Sequence, residues 1–272
     1  MNDDARVPSV LENLPLVRQA IGRRTPVFFL DFDGTLAPIS PRPELAHMPP
    51  EMKHVLETLS RHHVVCVASG RGLADLVQKV GMRNIYYAAD HGYRVLGPEG
   101  TGIDFEVATE SREKLEAASY AIEQRLRDVP GIVVETKGVS LAVHYRQVAE
   151  SDRPLVEQVV AEAAGATSGL RLTAGKLVHE LVPDAGWDKG KALMWILRRL
   201  RYGRKDACPL CLGDDLTDED MFRATEGWGV SVVVGHPGLH TRADYSLNDW
   251  VEVATFLGGF VPEAGDVASS GG

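Results

Sequence analysis

The amino-acid sequence predicts an α/β protein: a doubly wound parallel sheet into which a smaller α+β domain is inserted. Three observations carry that expectation. Short apolar runs of strand length alternate with helical stretches along the first hundred or so residues. The alternation breaks near residue 107, where a helix-strand-strand pattern begins and then repeats. It resumes near residue 184. The predicted division is therefore a core of 1–106 with 184–272 and an insert of 107–183.

Residues 10–22 read as a short amphipathic helix. Val27–Phe32 (VFFLDF) is an apolar, β-rich run of the kind that fills a buried parallel strand. Pro50–His62 places Met52, Val55, Leu56 and Leu59 on one helical stripe. Val64–Ala68 reads as a strand, Leu73–Val80 as a helix stopped by Gly81, and Ile85–Ala89 as a third strand. In the insert, Glu110–Val129 reads as one long helix, followed by strands Ile132–Lys137 and Val139–Arg146. Arg153–Ala164 is the second helix, followed by strands Arg171–Thr173 and Lys176–Val182 split at Ala174-Gly175. Val139, Leu141, Val143 and Tyr145 alternate with Ser140, Ala142, His144 and Arg146, which predicts one buried face and one open to solvent or ligand. Asp188 is placed to cap a helix reaching Tyr202. Leu210–Leu212 leads a strand into an acidic loop, Glu219–Thr225 is helical, and Gly229–Val234 is the last strand. The tail from Pro262 is rich in Gly, Ser and Ala and predicts disorder.

The net charge of -9 disfavours nucleic acid and anionic lipid as partners. Three cysteines, Cys66, Cys208 and Cys211, are too sparse for a disulfide framework and predict a reducing, cytoplasmic setting. The Cys208–Cys211 pair lacks a second pair of zinc ligands and runs into a strand, so it reads as inert core. Met194, Trp195 and Trp187 read as helix-to-sheet packing. The opening MNDDARVPSV has no basic, then apolar, signal pattern, and no run is long enough to span a bilayer. The sequence specifies no oligomeric state.

Four clusters fall at strand ends or helix starts, where a parallel sheet presents ligands. The first is Asp31-Phe32-Asp33-Gly34-Thr35. One carboxylate there can attack phosphorus and the other move a proton, and a cation would hold both ionised. An ordinary turn is the alternative. The second, Ser69-Gly70-Arg71, offers a hydroxyl and backbone N–H groups to a phosphate, or is a simple helix cap. The third is Lys189, a cation at a helix start that opposes the dipole and so needs a carboxylate or phosphate partner, unless it is solvated. The fourth, Gly213 to Asp220, packs five carboxylates into the seven residues from Asp214 onward. Hard oxygen ligands indicate Mg²⁺ rather than zinc, with Asp214 the first candidate. Asp218, Glu219 and Asp220 also suit the first turn of the next helix.

The order DFDGT, Ser69, Lys189 and GDD resembles the haloacid dehalogenase superfamily of phosphatases. The stretches LDFDGTLAPIS, PRPELAHMPP, VVCVASGRGLADL, ADHGYRV, TKGVSLAVHYR, GKLVHELVPDAGWDKGKAL and CLGDDLTDEDMF are similar to the trehalose-6-phosphate phosphatase family, over about residues 28 to 226. The resemblance implies a Rossmann-like core with a cap of the C2B type and a sugar phosphate as substrate. It implies Asp31 as nucleophile and Asp33 as general acid/base. It implies Mg²⁺ held by Asp31, the Asp33 carbonyl and Asp214, with Asp215 or Asp218 in support. Ser69 and Lys189 would position phosphate. Gly70, Arg71 and His91 of the core, with Glu135, Lys137, Lys176 and Glu180 of the insert, would meet the sugar. Sucrose-phosphate and glucosyl-phosphoglycerate phosphatases are the alternatives within the superfamily. A sugar phosphomutase and a non-catalytic sensor lie outside them.

Overall fold

The computed structural model describes residues 7–40, 42–136, 139–175, 177–235 and 241–261. Two compact units are present: one holds the chain up to Asp104 and from Asp188 onward, and the other is Phe105–Trp187. Lys137, Lys176 and the tail from Pro262 lie outside the described residues.

The chain begins with helix α1 (Leu14–Ile21), strand β1 (Thr25–Asp31), α2 (Pro50–His62), β2 (Val64–Ala68), α3 (Leu73–Val80) and β3 (Tyr86–Ala89). Pro50 stands at the first position of α2, where its missing N–H costs nothing. Gly81 ends α3 at φ 66°, the left-handed conformation glycine tolerates. Two short strands follow, β4 (Arg94–Leu96) and β5 (Asp104–Glu106). The second unit then runs α4 (Arg112–Leu126), β6 (Val133–Thr136), β7 (Leu141–His144), α5 (Arg153–Ala166), β8 (Leu170–Gly175) and β9 (Val178–Pro183). The chain returns with α6 (Lys189–Arg199), β10 (Ala207–Gly213), α7 (Glu219–Thr225), β11 (Val230–Val234), β12 (Tyr245–Leu247) and α8 (Trp250–Gly258).

The larger sheet has the order β12-β11-β10-β1-β2-β3-β4-β5. Its strands from β12 to β3 are parallel, and β4 turns antiparallel to β3. β1 is the first strand in sequence and lies inside the sheet, so the chain winds outward from it both ways. Alternate residues of β1 therefore enter two different layers. Phe28 and Leu30 join Leu56, Leu76, Phe256 and Leu257, from α2, α3 and α8. Val27 and Phe29 face the opposite layer, where α6 and α7 pack together and buried Leu193, Ile196 and Phe222 lie. Burying each such side chain contributes about 1.5–3 kcal/mol. In α6 the fully covered apolar side chains are Ala192, Leu193, Ile196 and Leu197, while Met194 and Trp195 are only half-buried. The two larger side chains are thus rim, not core.

The smaller sheet has the order β6-β7-β9-β8, with every pair antiparallel. One face, carrying Leu141, Val143 and Leu181, packs on Leu115, Ile122, Val156 and Val160 of α4 and α5. The expected open face of β7 is covered at Ser140 and Ala142, half-buried at His144 and exposed at Arg146, past the end of the strand. Ala142 lies between Glu135 and Glu180 in register, and longer neighbours screen a small residue on an inner strand. The expected long helix also starts later, because Thr109–Ser111 forms a tight 3₁₀ turn ahead of α4. Ala174-Gly175 continues β8 instead of ending it.

Candidate active site

Strand register brings the clusters together. Leu30 stands opposite Leu212 and Asp31 opposite Ala68. Asp31, Ser69 and Asp214 therefore leave the sheet at nearly the same level, on three adjacent strands. Gly34, with φ 84°, turns the chain away after β1. Any Cβ there would strike the Asp214 carboxylate, so the glycine keeps that space open.

Lys189 enters from the start of α6 and is only 2% exposed. Its Nζ donates to Oδ1 of Asp31 at 2.7 Å and to Oδ1 of Asp218 at 2.8 Å. These bonds explain a cation that works against the helix dipole and exclude the solvated alternative. Asp188 caps the same helix through Lys191 N–H. Asp218 does not serve merely as a first-turn charge. It is buried, and its Oδ2 accepts the backbone N–H groups of Asp214 and Asp215 at 3.0 and 3.1 Å. Asp218 thus ties the acidic loop to Lys189 and hence to β1. Gly213 permits this, because a side chain there would overlap Asp218.

Asp31, Asp214 and Asp218 each offer an oxygen, and these lie within 4.8 Å of one another. Asp215 is outside that group: its Oδ1 accepts from the N–H and hydroxyl of Thr217. Burial and then the charge of Asp218 push the Asp31 carboxyl well above the usual range, with Lys189 opposing. Burial, Asp218 and Asp215 push Asp214 up to about 7. Burial also acts to raise Asp215, but Lys189 and Thr217 outweigh it and hold Asp215 low. Burial acts against the Lys189 charge, yet Asp218 and Asp31 hold that charge firmly. One ammonium facing three carboxylates leaves excess negative charge in a dry site. A hard divalent cation would relieve it, and the all-oxygen donor set suits one.

Asp33 turns elsewhere. Arg71 Nε and Nη2 each donate to one of its oxygens at 2.7 Å. The two motif aspartates therefore meet separate basic partners. Ser69 is not a helix cap, because α3 starts at Leu73 with Gly72 before it. Its hydroxyl accepts the Arg71 N–H at 3.2 Å, shaping the loop at the site. His91 N–H donates to the Ser69 carbonyl and Asp90 N–H to that of Arg71. Both Asp90 and His91 adopt left-handed backbone, at φ 50° and 54°. The His91 ring then lies over Gly70, where a Cβ would collide with it. Such strain persists where surrounding bonds over-determine it, as at ligand sites.

In the second unit, Glu135 and Glu180 flank Ala142 on one sheet face. His144 Nε2 lies 3.1 Å from Glu135 Oε2, a pairing not read from sequence although His144 lies in the TKGVSLAVHYR stretch and in the polar alternation of β7. Asp75 is a second residue given no role from sequence although it lies in the VVCVASGRGLADL stretch, and it pairs with Arg71 from four positions on. The i,i+4 spacing is the sequence signal for that pairing.

The chain matches the trehalose-phosphatase family over residues 29–249. It is 39% identical over 251 residues to the trehalose-phosphate phosphatase of Mycobacterium leprae, covering 89% of this chain and 58% of that one. The chain spans about three fifths of the length of the curated relatives it matches. The C-terminal domain of C. albicans trehalose-6-phosphate phosphatase superposes with TM-score 0.75 at 26% identity, covering 94% of this chain and 98% of that one. A haloacid dehalogenase-like hydrolase from Bacteroides thetaiotaomicron shares the fold alone, with TM-score 0.60 at 16% identity over 86% of this chain and 98% of that one. With the match spanning both the acidic site and the inserted unit, this chain belongs to the trehalose-phosphatase family.

Proposed function

We propose that the protein is a phosphatase that hydrolyses trehalose 6-phosphate to trehalose and inorganic phosphate, with Mg²⁺ as cofactor. The observation that supports this most is the buried Asp31, held by Lys189 and within ligand distance of Asp214 and Asp218. Asp31, Asp214, Asp218 and the Asp33 carbonyl would hold the cation. When bound, it supplies charge neutralisation for the phosphate. In the first step the free oxygen of Asp31 forms a bond to phosphorus and the sugar oxygen leaves, taking a proton from Asp33. In the second, water attacks the aspartyl phosphate, gives its proton to Asp33 and releases phosphate. Lys189 fixes the attacking carboxylate, and the Ser69 loop meets the phosphate oxygens. Gly70, Arg71 and His91 line the leaving-group side. Glu135, Lys137, Lys176 and Glu180 are assigned to the sugar hydroxyls, with Asp215 as a support of the loop. No helix among the described residues is long and apolar enough to cross a membrane. Three free, buried thiols fit a cytoplasmic setting.

Phosphate release across trehalose 6-phosphate, sucrose 6-phosphate and glucose 6-phosphate tests the proposal. Trehalose 6-phosphate should be preferred by at least about tenfold in kcat/KM. Comparable rates on all three would remove the sugar assignment.

A further inference from the structure

Arg71 grips two carboxylates at once. While Nε and Nη2 hold both oxygens of Asp33, Nη1 donates to Oδ2 of Asp75 at 2.7 Å. The Arg71 side chain is 10% exposed, and its guanidinium lies 5.5 Å from the centre of the Phe32 ring. Asp75 stands in the first turn of α3. An acid there is ordinarily explained by the helix dipole. Its surroundings point further. Lys79 lies 3.8 Å from Asp75 and donates to the carbonyls of Glu44 and Ala46, both at 3.0 Å. A chain of charge thus runs from Asp33 through Arg71, Asp75 and Lys79 into the loop that follows β1.

A carboxyl that passes a proton to a leaving oxygen needs one oxygen clear of the guanidinium. Arg71 therefore has to release at least one contact to Asp33 during turnover. Asp75 keeps Nη1 meanwhile and limits how far the guanidinium travels. We propose that Asp75 is a positioning residue, the counter-anchor that holds Arg71 beside Asp33 while Asp33 turns to the substrate. The inference rests on the phosphatase reading above. Asp75 itself touches no reacting atom.

Asp75→Asn keeps the shape and removes the charge. It should lower kcat by about five- to tenfold with KM within about twofold, since a half-exposed charged hydrogen bond is lost. The melting temperature should stay within about 3 °C. Asp75→Glu should recover most of kcat. A folded Asp75→Asn with unchanged kcat overturns the assignment, and so does a loss of kcat that Asp75→Glu leaves unrepaired. A wild-type protein inactive on every sugar phosphate overturns the phosphatase reading instead. The counter-anchor is then read by NMR: the Arg71 Nε–H resonance should move in Asp75→Asn, and an unmoved resonance overturns it.

Discussion

Replacing Lys189 by Met removes an ammonium from between two buried carboxylates and leaves a side chain of similar length. The ammonium sits 2.7 and 2.8 Å from its partners Asp31 and Asp218, which are 7% and 0% exposed. Breaking a buried pair from one side costs about 3–5 kcal/mol. In a chain of this size that lowers the melting temperature by roughly 6–20 °C. The sign with pH follows from the carboxylates left behind. Both already sit above their ordinary values in the folded protein, through burial first. Without Lys189 they rise further and take up protons that the unfolded chain does not. Stability of the variant therefore falls as pH rises through the range above the ordinary carboxylate value, and recovers on acidification. Melting followed by circular dichroism in chelator, at pH near 5.5 and 8, reads this. The loss should be largest at the higher pH and less than half as large at the lower. An unchanged melting temperature at the higher pH, or the same loss at both, would refute the reasoning.

Two further outcomes follow from the same site. Asp214, pushed up to about 7 by burial and its acidic neighbours, must lose its proton to ligate a cation. Mg²⁺ affinity by calorimetry should therefore weaken about tenfold per unit as pH falls below that value, and affinity that stays level would count against Asp214 as ligand. Gly34→Ala places a methyl against the Asp214 carboxylate and strains a backbone at φ 84°. It should cost about 1–2 kcal/mol of stability and abolish the thermal shift produced by Mg²⁺; a preserved shift would show that the turn does not guard the site.

Much of the core was legible because its signals are local. Pro50, Gly81 and the stripes between them fix α2, β2 and α3 to the residue. Strands β4, β5 and β12 are three residues long and owe their existence to pairing partners, which no local pattern displays. Helix α8 carried a readable cap: Asp249 accepts the N–H groups of Val251 and Glu252. At the site, sequence order named Asp31, Lys189 and Asp214. It did not separate Asp218 from Asp215. That distinction depends on Lys189, which reaches Asp218 from 29 residues away and Asp31 from 158. Nor did it show that Arg71 would occupy Asp33, a contact spanning 38 positions. Residues whose roles are set by distant partners carry no mark in their own neighbourhood.

The covalent role of Asp31 has a direct test. Protein mixed with trehalose 6-phosphate and Mg²⁺ is quenched in acid during turnover, then reduced with borohydride, which converts an acyl phosphate of aspartate to homoserine. Peptide mass should locate homoserine at position 31. Homoserine at another aspartate, or intact aspartate at 31 throughout measured turnover, would contradict the account.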